Sequence, residues 1–177
     1  EIASPAELLT MLTREEIEFF VADTGDMVTV PFLHIEPLMR QYGHLYARYD
    51  HPLAHKAHTF EDAWTYGIAS VKLPDPLKAG LGQLLQQSKR NLPQLALECD
   101  DVHLLHQLAL NTDTVVASTD IAAKPWLRQK QLVQLNTTDF PRLFSNISIV
   151  NLSNRALSPV ADFAIEQFRQ TAKQSFD

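Results

Sequence analysis

Ser4-Pro5-Ala6-Glu7-Leu8-Leu9, followed by Ile17-Glu18-Phe19-Phe20-Val21-Ala22-Asp23-Thr24-Gly25, reads as one helix leading into one buried strand. Serine sits at the helix cap, proline at the first helical position and glutamate three residues after the cap. The serine oxygen can accept the Glu7 amide while the glutamate reaches back to the serine amide. Leu8, Met11 and Leu12 then recur at helical spacing. Residues 17–22 form a short, mostly apolar run of the kind buried on both faces of a parallel sheet. It ends in a polar turn, Asp23-Thr24-Gly25-Asp26.

The same grammar returns outward from this pair. Asp75-Pro76 opens a helix with apolar positions Leu77, Leu81, Leu84 and Leu85, and Leu95-Ala96-Leu97 reads as a strand. Val102, Leu105, Leu108 and Ala109 line the next helix, and Thr114-Val115-Val116-Ala117 is a strand. Ile121 to Gln129 is helical despite Pro125, and Leu132-Val133-Gln134-Leu135 is a strand. Ser158-Pro159 repeats the serine cap and starting proline ahead of a helix expected to bury Val160, Phe163, Ala164 and Phe168. Alternation of this kind predicts an α/β fold with a parallel sheet covered by helices.

Two stretches break the rhythm, Leu38 to Arg48 and Asn146 to Leu152. Each is long enough to pass from one lobe to another. The fold expected is therefore two Rossmann-like lobes joined by two crossover strands. Residues 1–42 plus 142–177 would form an outer lobe and 43–141 an inner one, with a cleft between them.

Composition narrows the function. Charged residues are 20% and hydrophobic ones 45%, which is globular, and the net charge of -6 disfavours direct binding of these residues to nucleic acid. Cys99 is the only cysteine, so no internal disulfide forms, which fits a reducing cytoplasm. No apolar run reaches bilayer length, and the opening Glu1-Ile2-Ala3 lacks the features of a signal peptide.

Ligands of such folds sit at the carboxyl ends of strands, against helix starts. That rule selects Ser4, Asp23 and Thr24 near the ends of the chain, and Ser70, Val71, Lys72, Glu98, Cys99, Asp100, Ser118 and Thr119 in the middle. An anionic effector would suit helix starts and Lys72, but Asp23, Glu98 and Asp100 would repel it unless turned away. Acidic neighbours raise a thiol's pKa, so Cys99 is read as an inert cysteine. His51, His55 and His58, and the pair His103 and His106, supply too few ligands for a metal site, so no metal or cofactor is expected. No Gly-x-Ser-x-Gly elbow or glycine-rich phosphate loop occurs, and catalysis is not expected.

Taken in order, five segments resemble the effector-binding domain of LysR-type transcriptional regulators. They are residues 4–9, residues 17–25, Glu36-Pro37-Leu38 with His51-Pro52-Leu53-Ala54, residues 98–105 running into Val115-Val116-Ala117-Ser118, and Ile149-Val150 with residues 155–161. The set covers nearly the whole chain. The resemblance implies a periplasmic-binding-protein-like fold and a small-molecule effector, touched by the Ser4 cap and the Ser70–Lys72 turn. It also implies a homodimer of this domain, a tetramer of the full-length regulator, and DNA contact only through an N-terminal helix-turn-helix domain. That domain, and the first strand and helix of the effector domain, have no counterpart in these residues. A transporter's solute-binding protein would share the fold. One departure is Asn111-Thr112-Asp113, where the family often has a glycine-rich turn; asparagine reaches the left-handed conformation less readily than glycine.

Overall fold

A computed structural model describes residues 3–25, 27, 30–73, 75–85 and 94–174. Glu1, Ile2 and Asp26, which entered the reading above, lie outside them. Along the chain the elements are α1 (Pro5–Thr13), β1 (Phe19–Asp23), β2 (Leu33–Arg48), β3 (Ala57–His58), α2 (Phe60–Trp64), β4 (Ile68–Ser70) and α3 (Asp75–Leu84). They continue with β5 (Leu97–Glu98), α4 (Val102–Asn111), β6 (Val115–Thr119), α5 (Asp120–Arg128), β7 (Leu132–Gln134), β8 (Asn136–Thr137), β9 (Leu143–Leu152) and α6 (Pro159–Gln174). The chain divides into two compact units, Glu1–Gln41 with Phe144–Asp177, and Tyr42–Leu143. β2 and β9 each run across a boundary between them.

The first unit carries strands in the order β1-β9-β2. β1 lies antiparallel to β9, with Phe20 opposite Val150. Its core gathers Leu8, Leu12, Phe20, Leu33 and Val150. The Ser4 capping box forms as the sequence specifies: the Ser4 amide donates to Glu7 Oε2 at 2.9 Å and the Glu7 amide to Ser4 Oγ at 3.4 Å. α6 starts on Ser158, whose Oγ accepts the Ala161 amide at 3.2 Å while its own amide donates to Glu18 at 2.7 Å. The face of α6 is a correction. It buries Ala161, Ile165 and Ala172, whereas Val160 (78% exposed), Phe163 (67%) and Phe168 (43%) lie outward. Two alanines share the inner stripe with Ile165, and the exposed valine and phenylalanines beside them set a false face.

The second unit carries β7-β2-β6-β4-β5. β4 is parallel to β5 and to β6, as expected, but β2 is antiparallel to β6 and β7. The sheet is therefore mixed rather than parallel. The strand arriving from the first unit enters against the direction set by the internal βαβ repeats. Alternate residues face two helical layers. Leu45, Ala47, Ile68 and Val115 pack with Phe60, Ala63 and Leu81 on one side. Tyr46, Ala69 and Val116 pack with Leu105, Ala109 and Ala123 on the other.

The turn after α4 needs no left-handed residue: Thr112 has φ -142° and ψ 177°. Its Oγ1 donates to the Leu108 carbonyl at 2.8 Å and accepts the Thr114 amide at 3.1 Å, replacing what a glycine would supply. Two other helix ends do use the left-handed region, at Glu15 (φ 60°) after α1 and Lys130 (φ 54°) after α5. Behind Lys130 the Gln131 amide donates to Trp126 at 2.9 Å and the Lys130 amide to Leu127 at 3.0 Å, the paired bonds of a Schellman end. A side chain there is unfavourable. Lys130→Gly is expected to raise stability by roughly 0.5–1 kcal/mol, read as a higher urea midpoint with an unchanged slope.

Candidate functional site

Three parallel strands of the second unit, β4, β5 and β6, end together, and the sequence-selected residues of residues 43–141 fall at those ends. Ser70 closes β4 opposite Glu98 of β5, and the Cys99 amide donates to the Ser70 carbonyl at 3.1 Å. Ala69 pairs with Val116, so Ser118 and Thr119 continue β6 toward the same end. Thr119 caps α5, its Oγ1 accepting the Ala122 amide at 3.3 Å, and Asp101 caps α4, accepting the Leu104 amide at 3.0 Å. Capped helix starts thus stand beside the strand ends.

Individual placements vary. Ser70 is only 2% exposed, with its hydroxyl toward the Ala117 carbonyl at 3.4 Å, so a bulky side chain there would test packing before ligand contact. Val71 is half-buried, while Lys72 and Asp100 are exposed. Glu98 is ion-paired with Lys78, which neutralises one of the carboxylates that would repel an anion. Half-buried Cys99 accepts the Asp101 amide at Sγ, 3.4 Å away. Ser118 is bound to a group read otherwise from sequence: His106, 1% exposed, meets its hydroxyl at 3.1 Å through Nε2. Burial, and the His103 charge to a lesser degree, hold the His106 pKa below the ordinary histidine value.

In the first unit, exposed Ser4 is engaged by Glu7, its Oγ donating to Oε2 at 2.7 Å. Half-buried Thr24 donates to the Asn146 carbonyl at 3.2 Å and shares a 2.8 Å hydrogen bond with Ser148, itself 2% exposed. Asp23 is turned onto the backbone, accepting the Gly25 amide at 3.0 Å and the Asn146 amide at 2.9 Å. Asn146 and Ser148 were not foreseen, because polar residues inside a strand candidate give no local signal of function.

The histidine groupings are structural. His51 bridges the Asp113 carbonyl and the Leu53 amide, His55 meets the Tyr49 carbonyl, and His58 meets Thr137. Among the described residues no cluster of three or more potential metal ligands occurs, and no helix is long and apolar enough to cross a membrane. The apolar face of α1 is covered within its own unit, where Leu8 and Leu12 are buried; on α4, Leu104 stays 51% exposed.

Strand ends flanked by capped helix starts in an α/β domain define a small-molecule-binding class. Residues 1–176 match the LysR substrate binding domain, and the chain belongs to that family. It is 30% identical over 158 residues to the SDS degradation transcriptional activation protein of a Pseudomonas species, covering 85% of this chain and 49% of that protein. The chain thus spans about half the length of the curated relative it matches. A Vibrio parahaemolyticus protein described as a transcriptional regulator superposes with a TM-score of 0.72 at 18% identity, over 99% of this chain and 79% of that one. The effector binding domain of QuiR, solved with shikimate, gives 0.65 at 16% identity, over 97% and 79%. These likenesses favour the regulator over a transporter's solute-binding protein.

Proposed function

We propose that the domain senses a small polar metabolite through Ser70, Val71, Lys72, Glu98, Cys99, Asp100, Ser118 and Thr119; Ser4 and Thr24 are the candidate contacts of the first unit. The observation that carries this reading is the gathering of β4, β5 and β6 carboxyl ends beside the α4 and α5 caps. Neutralisation of Glu98 by Lys78 removes one of the carboxylates that would repel an anionic effector. The two lobes correspond to the compact units, Glu1–Gln41 with Phe144–Asp177 and Tyr42–Leu143. Effector binding selects one arrangement of the domain, and that preference passes to a DNA-binding domain elsewhere in the polypeptide. The regulator acts in the cytoplasm as a homodimer of this domain within a tetramer, and performs no catalysis. Exposed Leu104 is the α4 residue available to such a contact.

A thermal-shift screen of metabolites identifies the effector, and calorimetry then compares the parent with Ser118→Ala. One lost hydrogen bond to a charged group predicts roughly tenfold weaker binding; buried His106 also loses its hydroxyl partner, so the melting temperature falls too and affinity is measured well below it. Unchanged affinity counts against the strand-end site.

A further inference from the structure

A hollow of about 340 Å³ lies wholly within the second unit, beside the end of β6: Gly43 and His44 of its lining are the ladder partners of Thr119 and Ser118. It is lined by Gly43, His44, Gln134 to Thr137 and Phe140 to Arg142, and shares no residue with the proposed effector set. Its volume falls within the range of small-ligand sites. Its chemistry is one-sided. The lining holds a guanidinium, an imidazole, two carboxamides and a hydroxyl, and no carboxylate. Among the described residues Arg142 makes no ion pair; its guanidinium lies 5.9 Å from the Tyr42 ring centroid. Another hollow, beside Thr13 and Phe32, differs on this point, because its Arg155 is already neutralised by Glu15 at 2.8 Å.

The donors are oriented. Gln134 Nε2 donates to His44 Nδ1 at 3.2 Å, which leaves the ring proton of a neutral His44 on Nε2. Leu135, Phe140 and Pro141 supply an apolar wall, and Phe140 is fixed by stacking on Phe60, with centroids 5.4 Å apart. A cation beside an apolar wall, with no competing acid, fits a carboxylate carried on an apolar body. The position adds a consequence. Gly43 and Arg142 stand next to the first and last residues of the unit, Tyr42 and Leu143. A Cβ on Gly43 would lie 3.3 Å from Leu143 Cβ, so β2 and β9 are closely apposed there. A ligand in the hollow touches both chain passages by which this unit joins the other.

We propose that this hollow is a second ligand site, taking a small organic carboxylate on Arg142, His44 and Gln134, and that it lets such an anion bias the domain independently of the strand-end site. The probes are benzoate, its neutral counterpart benzamide, and inorganic phosphate, titrated into the whole domain by calorimetry and amide NMR. Benzoate is expected to bind at least tenfold tighter than benzamide and tighter than phosphate, shifting the Gly43 and Gln134 resonances. Arg142→Gln should abolish the preference over benzamide without lowering the melting temperature, because Arg142 is exposed. Lys72→Gln, at an exposed member of the strand-end set that lines no part of the hollow, should leave it intact, which separates this site from the strand-end one. Equal binding of benzoate and benzamide, phosphate binding as tightly as benzoate, or an unaltered preference in Arg142→Gln overturns the proposal.

Discussion

Replacing Phe60 by alanine will destabilise the second unit by about 3–5 kcal/mol, the range for emptying a buried aromatic position. Phe60 is fully buried at the start of α2, its ring 5.7 Å from Trp64 and 5.4 Å from Phe140. Its amide donates to Asp139 Oδ1 at 2.6 Å, so α2 is tied to the segment that leads into β9. The helix has only five residues and cannot hold itself by propensity. A capping box fastens it instead: the Thr59 amide donates to Asp62 Oδ2 at 2.8 Å, and the Asp62 amide to Thr59 Oγ1 at 3.2 Å. With the ring removed, neither α2 nor Phe140 keeps its packing. Both tryptophans of the chain, Trp64 and Trp126, belong to this unit, so fluorescence-detected urea unfolding reports on it selectively. Phe60→Leu should recover roughly half of the loss by refilling part of the volume. A midpoint for Phe60→Ala within error of the parent would show that the contact between α2 and the β8–β9 connection does not hold the unit.

Much of the fold is legible because each main helix announces its own start. Ser4 with Glu7, Ser158 with Pro159, and Asp101 ahead of α4 are short-range signals, and all three caps form. Thr59 and Asp62 carry the same signature, yet α2 went unread because five residues give no periodicity to go with it. The β3–β8 pair is two residues long on each side and offers still less. The direction of β2 could not be read either: apolar pattern marks a strand but not the sense of its partner, and here a long connection reverses it. α6 failed for another reason. Val160, Phe163 and Phe168 outweigh Ala161 and Ala172 in any hydrophobic reading, although the alanines face the core.

The strand-end site was legible from topology, since it follows from where strands stop. What surrounds it was not. His106 and His103 suggest a ligand pair by spacing, but the residue that matters to His106 is Ser118, across the α4–β6 contact. Likewise His44, Gln134 and Arg142 are far apart in the sequence and meet only because β7 pairs with β2 and the chain then returns toward β9. No local motif encodes such a meeting.

Lowering the pH from 7.5 to 5 will destabilise the second unit, and two buried histidines set the direction. His51 is 3% exposed and His106 1%. Burial is the main reason that both imidazoles protonate below the ordinary histidine range, outweighing for His51 the Asp113 contacts that act the other way. Both ring nitrogens of His51 are committed: Nε2 meets the Asp113 carbonyl at 3.0 Å, and Nδ1 accepts the Leu53 amide at 3.1 Å. A proton on Nδ1 would set two donors against each other. In the unfolded chain both histidines take up a proton near pH 6.5. Between that pH and their lower folded values the unfolded state binds more protons, so stability declines as pH falls. One proton per histidine bounds the slope at about 1.4 kcal/mol per pH unit for each. Glu7, Glu18, Glu36, Asp50 and Asp62 have pKa values lowered by their hydrogen-bond partners and keep their contribution until the pH falls below the ordinary carboxylate range, outside this window. His106→Gln, which can still bond Ser118 but cannot titrate, should make the slope between pH 6.5 and 5 shallower. Urea unfolding followed by tryptophan fluorescence across that range checks it; a parent whose stability is flat there would mean that neither imidazole is held neutral. Because Ser118 is both the partner of His106 and a member of the effector set, effector affinity should weaken over the same interval in the parent and hold steady in His106→Gln.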